Sequence, residues 1–213
     1  MSFVEVLGWA AALTVMGISL PQLALLLRTR DTAGLALPTW IINLGTYIGW
    51  LSHGIKLGQW PMAIPNVWGL GCTIGILLVL VRVRNLNPIK VLAPGVLLGA
   101  AMVGLDYFVA SWAFGIMAMV PGCISMGRQG WELTRAPDVS GVSTASWVWQ
   151  VATQALWMVW GLLVVDWGTI ISTFFSVIVA GIVLVLLVAR ARGWVPAYLA
   201  QTFNQPGDAT LAA

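Results

Sequence analysis

The sequence predicts an all-α polytopic membrane protein with seven transmembrane helices, arranged as two parallel three-helix repeats joined by a linker helix. Its 213 residues are 60% hydrophobic and only 8% charged, whereas soluble domains carry about a quarter charged residues. Seven apolar segments are long enough to cross a bilayer. The chain also matches itself when it is shifted by 107 residues. Together these observations predict a membrane protein with an internal repeat.

The membrane-spanning helices are predicted from apolar segments of about 20 residues. In chain order these segments are 4–27, 36–56, 62–82, 89–106, 108–130, 143–163 and 168–189. The connections between them are short and hold most of the Gly, Pro and charged residues. The fourth segment is the least regular, because Pro94 lies near its start. Glu5, and the lack of Lys or Arg before the first segment, predict a retained span rather than a cleaved signal peptide.

The basic residues predict the orientation of the chain in the membrane. Nine of the ten Lys and Arg residues follow or end the first, third, fifth and seventh segments, and only Lys56 lies on the other side. The positive-inside rule then places the N-terminus outside and the C-terminus in the cytoplasm, and we expect a multi-pass protein of the plasma membrane. Because the basic residues are dispersed, the formal charge of +3 does not indicate nucleic-acid binding.

The reactive side chains predict neither an enzyme nor a metal protein. Cys72 and Cys123 both lie in apolar segments, which is typical of buried thiols. The single histidine, His53, cannot form a metal site by itself. Neither a nucleophile paired with a base nor a phosphate-binding glycine loop occurs in the chain. We therefore expect no catalytic residues, no metal and no cofactor.

A repeat with an offset of 107 residues divides the chain. Ten identical pairs align between residues 22 and 60 without a gap. The pairs are Gln22/Gln129, Leu26/Leu133, Arg28/Arg135, Asp31/Asp138, Gly34/Gly141, Trp40/Trp147, Thr46/Thr153, Trp50/Trp157, Gly54/Gly161 and Trp60/Trp167. They predict a first repeat over 1–86, a linker helix over 87–107, a second repeat over 108–191 and a cytoplasmic tail over 192–213. A linker that crosses the membrane once makes the two repeats parallel.

Two segments resemble a known repeat family. The stretch PQLALLLRTRDTAGLALPTW at 21–40 resembles the PQ-loop repeat, and GRQGWELTRAPDVSGVSTASW at 127–147 is similar to its second copy. The layout of three, one and three helices resembles the SWEET sugar transporters, and one triplet resembles the dimeric SemiSWEETs. Cystinosin-like amino-acid exporters and the KDEL receptor share this type of repeat. The resemblance implies a seven-helix transporter fold and leaves the substrate open.

A proline and a glutamine interrupt the first apolar segment. Proline removes a helical hydrogen bond and bends a helix, and Gln22 can satisfy the carbonyl that Pro21 frees. We therefore expect a hinge at this point, and a static kink is the alternative. The predicted hinge and gate residues are Pro21, Gln22, Pro38, Pro121, Arg128 and Gln129.

The two halves differ in their prolines. The resemblance to SWEETs implies two hinge prolines per half, but Arg128 and Ala145 stand at the counterparts of Pro21 and Pro38. Either the second half bends at Pro121 or it is the more rigid half. Arg128 would also place a charge near the inner gate.

The same resemblance implies a substrate cage of paired Trp and Asn, with the Asn sixteen residues after the Trp. Trp50 and Asn66 match this spacing, and the second half has Trp157 followed at the same spacing by Thr173. An indole face can stack on the apolar face of a sugar, while amide and hydroxyl groups bond its rim. The alternative is that these residues only pack, with Asn66 as an ordinary interhelical hydrogen-bond donor.

Other polar residues are candidates for the cavity or for proton coupling. The additional cavity candidates are Asn43, His53, Gln150 and Gln154. His53 follows Trp50 by three residues, so it faces either the same cavity or the headgroups. All seven acids fall near segment ends or in loops, which predicts an uncoupled uniporter. Asp31 and Asp138 are the proton sites in a cystinosin-like interpretation, and solvated pairs with nearby arginines are the alternative.

The sequence therefore predicts a facilitative alternating-access transporter of a small polar solute, with a sugar as the expected class. A proton-coupled, cystinosin-like amino-acid carrier is the alternative within transport. A non-transporting PQ-loop receptor is the alternative from another class. The expected partners are the solute and membrane lipid, without nucleic acid, and a homo-oligomer is left open.

Overall fold

A computed structural model describes residues 2–16, 19–30, 32, 35–136, 138–139 and 141–196. This part of the chain forms eight α-helices and no β-strand, which confirms the predicted all-α class. The helices are α1 (Phe3–Met16), α2 (Ser19–Thr29), α3 (Leu37–Lys56), α4 (Trp60–Val83), α5 (Pro88–Phe108), α6 (Ser111–Arg135), α7 (Thr144–Val164) and α8 (Trp167–Ala191).

Four helices, α4, α5, α7 and α8, are long and apolar enough to cross a membrane, and α1 is a shorter apolar helix. Exposed tryptophans also lie near helix ends, where indole rings favour the membrane interface. These tryptophans include Trp60, Trp112, Trp131, Trp149 and Trp167. Length and composition together indicate an integral membrane protein. That α3 and α6 also span the bilayer stays a prediction.

The first predicted segment, 4–27, contains two described helical stretches, α1 and α2. The first ends at Met16 and the second begins at Ser19, while residues 17–18 lie outside the described part. Pro21 is the third residue of α2. Because the preceding residues 17–18 and the Pro21 side chain are not described, the hinge at Pro21 stays a prediction.

The helices form two groups with similar packing, in each of which the last helix contacts the two before it. In one group α4 contacts both α2 and α3, and in the other α8 contacts both α6 and α7. Helix α5 packs against α3 and α6, while α1 contacts α4 and α7. Glycines allow the closest approaches: a Cβ atom on Gly115 would lie 2.5 Å from the carbonyl oxygen of Gly168, and one on Gly45 would lie 2.7 Å from that of Gly95.

The helix connections gather at two ends of the bundle. The His53 end holds the connections 57–59, 109–110 and 165–166. The Arg84 end holds the connection 84–87 and, from two longer connections, the described residues Thr32, Leu35 and Ala136. There the Arg84 guanidinium donates to the carbonyl oxygens of Thr32 at 2.6 Å and Leu35 at 3.0 Å. Arg190 donates to the carbonyl oxygen of Ala136 at 2.7 Å.

Candidate functional site

A cavity of about 690 Å³ lies among α1, α3, α4, α6, α7 and α8. Toward the His53 end its lining residues Met62 and Thr169 are almost fully buried. Farther along the bundle, Ser125 of α6 and Ser146 at the start of α7 are exposed. The described cavity lining is therefore more deeply buried toward the His53 end than toward the Arg84 end.

The four residues predicted to bind substrate all line this cavity. Trp50 comes from α3, Asn66 from α4, Trp157 from α7 and Thr173 from α8. Gln150 and Gln154, also predicted for the cavity, line it too. Asn43 and His53 are not among its described lining residues. The structure thus brings the four residues together, and their role in binding stays a prediction.

Several hydroxyl and amide groups of the cavity lining already donate hydrogen bonds to backbone carbonyls of their own helices. The Asn66 amide donates to the carbonyl oxygen of Met62 at 2.7 Å, and the Thr173 hydroxyl donates to that of Thr169 at 2.7 Å. Ser176 donates to the carbonyl oxygen of Ser172 at 2.7 Å. These groups retain acceptor capacity, and Asn66 also retains a second N–H group.

Two other lining residues were not singled out from the sequence. The hydroxyls of Thr153 and Thr169 are buried and have no hydrogen-bond partner. Both side chains line the cavity, so a bound solute can supply the missing bonds. The repeat aligns Thr153 with Thr46, and this identity was the one sequence signal for Thr153. The two threonines differ in the structure, because the Thr46 hydroxyl donates to the carbonyl oxygen of Ile42 at 3.0 Å in its own helix.

The cavity is aromatic and uncharged. Its indole rings are held by edge contacts: Trp50 meets Phe114 at 4.8 Å between ring centroids, and Trp157 meets Trp160 at 5.5 Å. None of the lining residues that the structure describes carries an acidic or basic side chain. The walls therefore suit a neutral solute with both apolar and hydrogen-bonding surfaces.

A buried charged cluster adjoins the cavity at the His53 end. We call His53, Asp106, Asp166, Lys56 and Ser111 the His53 cluster. The Nδ1 atom of His53 lies 2.9 Å from Asp106 Oδ2, and its Nε2 atom lies 3.0 Å from Asp166 Oδ2. The His53 side chain is 0% exposed and the two carboxylates are 1% and 3% exposed. The ring therefore joins two acidic side chains from different helices.

The remaining groups of the cluster surround Asp106. Lys56 Nζ donates to Asp106 Oδ1 at 2.9 Å and to its carbonyl oxygen at 2.6 Å. The Ser111 hydroxyl donates to the same Oδ1 at 2.9 Å. Lys56 is partly exposed and lies 5.2 Å from the ring centroid of Tyr107. Asp106 thus has hydrogen-bond donors on both carboxylate oxygens.

Asp166 has a second role as the N-cap of α8. Its carboxylate accepts from the backbone N–H groups of Gly168 at 3.2 Å and Thr169 at 3.0 Å. Burial by itself raises the pKa of Asp166. The hydrogen bond and charge of His53, and the backbone hydrogen bond from Thr169, outweigh burial and leave this pKa below its ordinary value. Asp166 is therefore an ionised carboxylate held by two helices.

The cluster corrects two expectations about ionisable groups. His53 faces neither the headgroups nor the cavity, because Phe114 stacks on its ring at 4.5 Å and two carboxylates occupy its nitrogens. Asp106 and Asp166 do lie at helix ends, as expected, yet both are buried. Asp166 precedes an apolar run, which is an N-cap signal, but nothing local in the sequence pairs it with His53.

The predicted hinge and gate residues lie in varied settings. Pro38 is in the first turn of α3 and so interrupts no helical bond, whereas Pro121 lies inside α6. Arg128 is exposed on α6, where Gln129 is half-buried. The side chains of Pro21 and Gln22, and all of Asp31, lie outside the described residues. Asp138 is exposed at the Arg84 end.

Two helix-interior prolines were not predicted as hinges. Pro65 lies inside α4 and lines the cavity, and Pro94 lies inside α5. A proline inside a helix leaves one carbonyl without its usual N–H partner. Pro65 and Pro121 are therefore the interior prolines in the helices around the cavity that the structure describes.

No model of a known protein family matches the chain, and no curated protein sequence matches it.

Proposed function

We propose that the chain is a facilitative alternating-access transporter of a small neutral polar solute, with a sugar as the expected class. The observation that carries this proposal is the cavity of about 690 Å³, whose described lining residues carry no charge. Sites for small molecules have volumes of roughly 300–1,000 Å³ and combine apolar walls with a few polar groups. Indole rings beside amide and hydroxyl groups suit a sugar, which has apolar C–H faces and a polar rim.

A repeated architecture supports the proposal. The buried cores of the two helix groups contain residues related by the 107-residue offset. These pairs are Leu26/Leu133, Ile76/Val183 and Leu80/Leu187. Parallel repeats around a central site are typical of transporters. The seven-span topology, the repeat boundaries at 86 and 107, and the PQ-loop resemblance all belong to this proposal.

The shape of the cavity supports alternating access. Thr169 and Met62 are buried at one end, and Ser146 is exposed toward the other. A transporter needs this asymmetry, and it needs a second state in which the His53 end opens instead. Pro65 and Pro121 are the described helix-interior positions where such a movement can bend α4 and α6.

The test is uptake into proteoliposomes. Purified protein is reconstituted and supplied with radiolabelled D-glucose, sucrose or neutral amino acids, with and without a pH gradient. We expect saturable sugar uptake that needs no pH gradient. Trp50→Ala should abolish it, whereas Trp60→Ala, at an exposed site at the start of α4, should not. If no solute in the panel enters, or if Trp50→Ala transports normally, the proposal fails.

A proton-coupled amino-acid carrier is the second candidate, and the buried His53 cluster favours it. The same assay separates the two functions, because a coupled carrier concentrates solute under a pH gradient and moves protons with it. A carboxylate-binding receptor is a weaker candidate, since the cavity lining has no cation among its described residues.

A further inference from the structure

We infer that the His53 cluster is a proton-binding site that holds the His53 end of the cavity closed, and that loss of one proton from the cluster opens this end. The proton comes from the aqueous side that Lys56 faces. This role rests on the transport function proposed above, because an opening at this end matters only if the cavity is a pathway.

The two hydrogen bonds of the His53 ring show how many protons the ring carries. Both ring nitrogens of His53 lie within 3.0 Å of carboxylate oxygens. An ionised carboxylate only accepts, and a neutral imidazole has one N–H group, so both bonds form together only when the ring carries two protons. When the ring loses one, a nitrogen lone pair faces a carboxylate oxygen and that contact becomes repulsive.

The charges of the cluster also balance in the protonated form. Asp106 and Asp166 supply two negative charges, and the protonated His53 and Lys56 supply two positive charges. Loss of the ring proton leaves one negative charge uncompensated between carboxylates that are 1% and 3% exposed. An uncompensated buried charge is strongly unfavourable. Separation of the helices, which admits water, relieves it.

The cluster joins the two helix groups at the closed end. His53 belongs to α3 and Asp106 to α5, while Asp166 caps α8 in the other group. The Asp166–His53 contact therefore has to break before α8 can part from α3. The ring also packs on Gly168, where a Cβ atom would lie 3.0 Å from Nε2, so the closed contact is tight.

The charged groups around His53 come from three elements of the fold. Among the described residues, the charged groups facing it are Asp106 from α5, Asp166 from the α7–α8 turn and Lys56 from α3. Helix α6 contributes Phe114 and Ser111. Tyr107 faces Lys56 rather than the ring. Of the groups that contact both carboxylates, His53 is the one whose loss of a proton removes a hydrogen bond of this contact, so a rise in pH acts on the contact through its ring.

The proton exchanges with one side only. His53 is not among the described residues that line the cavity, and Trp50 and Phe114 pack against its ring. Lys56, whose side chain is 29% exposed, is the nearest group of the cluster to solvent. The site thus responds to pH at the His53 end, and the proton returns to that side instead of crossing with the solute.

The experiment measures the width of the His53 end by pulsed electron spin resonance. Spin labels go on Trp60→Cys and Trp167→Cys, which are exposed at the starts of α4 and α8, in a chain with Cys72→Ala and Cys123→Ala. When the pH is raised from about 6 to about 9, the ratio of molecules with a long distance between the two labels to those with a short distance should rise at least about tenfold. An unchanged ratio overturns the inference.

Three variants separate the proton site from general loosening. His53→Gln removes the titrating group, so the distances should stop responding to pH. Asp166→Asn can still cap α8 while its amide donates to a neutral ring, so this variant should stay closed at high pH. Trp160→Phe is the matched control, because it alters the other buried contact at this end and should keep the pH response. A full pH response in His53→Gln or Asp166→Asn refutes the role.

A second measurement needs no variant. His53 is the only histidine, so a protein labelled with ¹⁵N-histidine gives signals from one ring. We expect both nitrogens to be protonated at about pH 7, with a change to the neutral ring as the spin-label distance lengthens. A neutral ring at about pH 7 contradicts the site even if every variant misfolds.

The two proposals fail in different ways. The distance and ring measurements need no substrate, so absence of uptake with an intact pH response rejects the transport function and leaves the proton site. Conversely, sugar uptake with a pH-independent distance keeps the transport function and rejects the proton site. Proton release inside the vesicles during uptake would show coupling and overturn the one-sided exchange.

Discussion

His53 and Trp160 lie 107 residues apart in the sequence, and both are completely buried near the ends of α3 and α7. His53 packs against the other helix group, and Trp160 packs against α1. His53 packs on Gly168 of α8. Trp160 packs on Gly8 of α1, where an added Cβ atom would lie 2.7 Å from the indole nitrogen. Of these two matched contacts, only the one at His53 can gain or lose a proton.

The orientation of the chain can be tested at the two ends of α5. Ile89 and Val109 are both well exposed, at the Arg84 end and the His53 end respectively. In a chain without Cys72 and Cys123, Val109→Cys should react with an impermeant thiol reagent from outside intact cells. Ile89→Cys should react only after permeabilisation. Reaction of both from outside would show that α5 does not cross the membrane.

The unpartnered hydroxyl of Thr153 should contribute to transport but not to stability. Thr153→Val removes a buried group without a hydrogen-bond partner, so we expect the free energy of unfolding to rise by about 1 kcal/mol and sugar uptake to fall about fivefold. Thr73→Val is the matched control, because its hydroxyl is also buried and unpartnered but does not line the cavity. It should raise stability and leave uptake unchanged. Equal effects of both variants on uptake would contradict a role of Thr153 in binding.

The contact between α6 and α8 should tolerate no side chain at Gly115. A methyl group there would lie 2.5 Å from the backbone oxygen of Gly168, so Gly115→Ala should lower the free energy of unfolding by about 1–3 kcal/mol. Gly122→Ala on the same helix meets no atom within 4 Å and should be neutral or stabilising by about 0.5–1 kcal/mol. Thermal unfolding in detergent compares the two, and equal melting temperatures would disprove the close approach.

The cap of α8 should weaken in acid. The pKa of Asp166 is lowered from an ordinary value of 3.8, so its stabilising contribution is fully present above that value and is lost as pH falls through the lower folded value. The melting temperature should therefore drop below about pH 4, and Asp166→Asn should reduce this dependence. Glu132→Gln, at an exposed site on α6, is the control and should leave the acid response intact. An identical acid response in Asp166→Asn would exclude this role.

The helices were predictable because their signals are local. A 60% hydrophobic chain with apolar segments must form helices in a bilayer, where every backbone group needs an internal partner. The resemblance to SWEETs, rather than the local pattern, implied the pairs Trp50 with Asn66 and Trp157 with Thr173, and these four residues share one cavity. The predicted hinge at Pro21 stays a prediction, since its side chain lies outside the described residues.

The charged cluster was decided by tertiary structure alone. The sequence places Asp106 and Asp166 at helix ends, where an acid is ordinarily solvated, and it places His53 far from both. Only the packing of α3, α5 and α8 brings the two carboxylates within 3.0 Å of one imidazole. Side-chain partners across 53 and 113 residues depend on which helix faces meet. That choice comes from close packing, such as Gly115 on Gly168, rather than from any local pattern of residues.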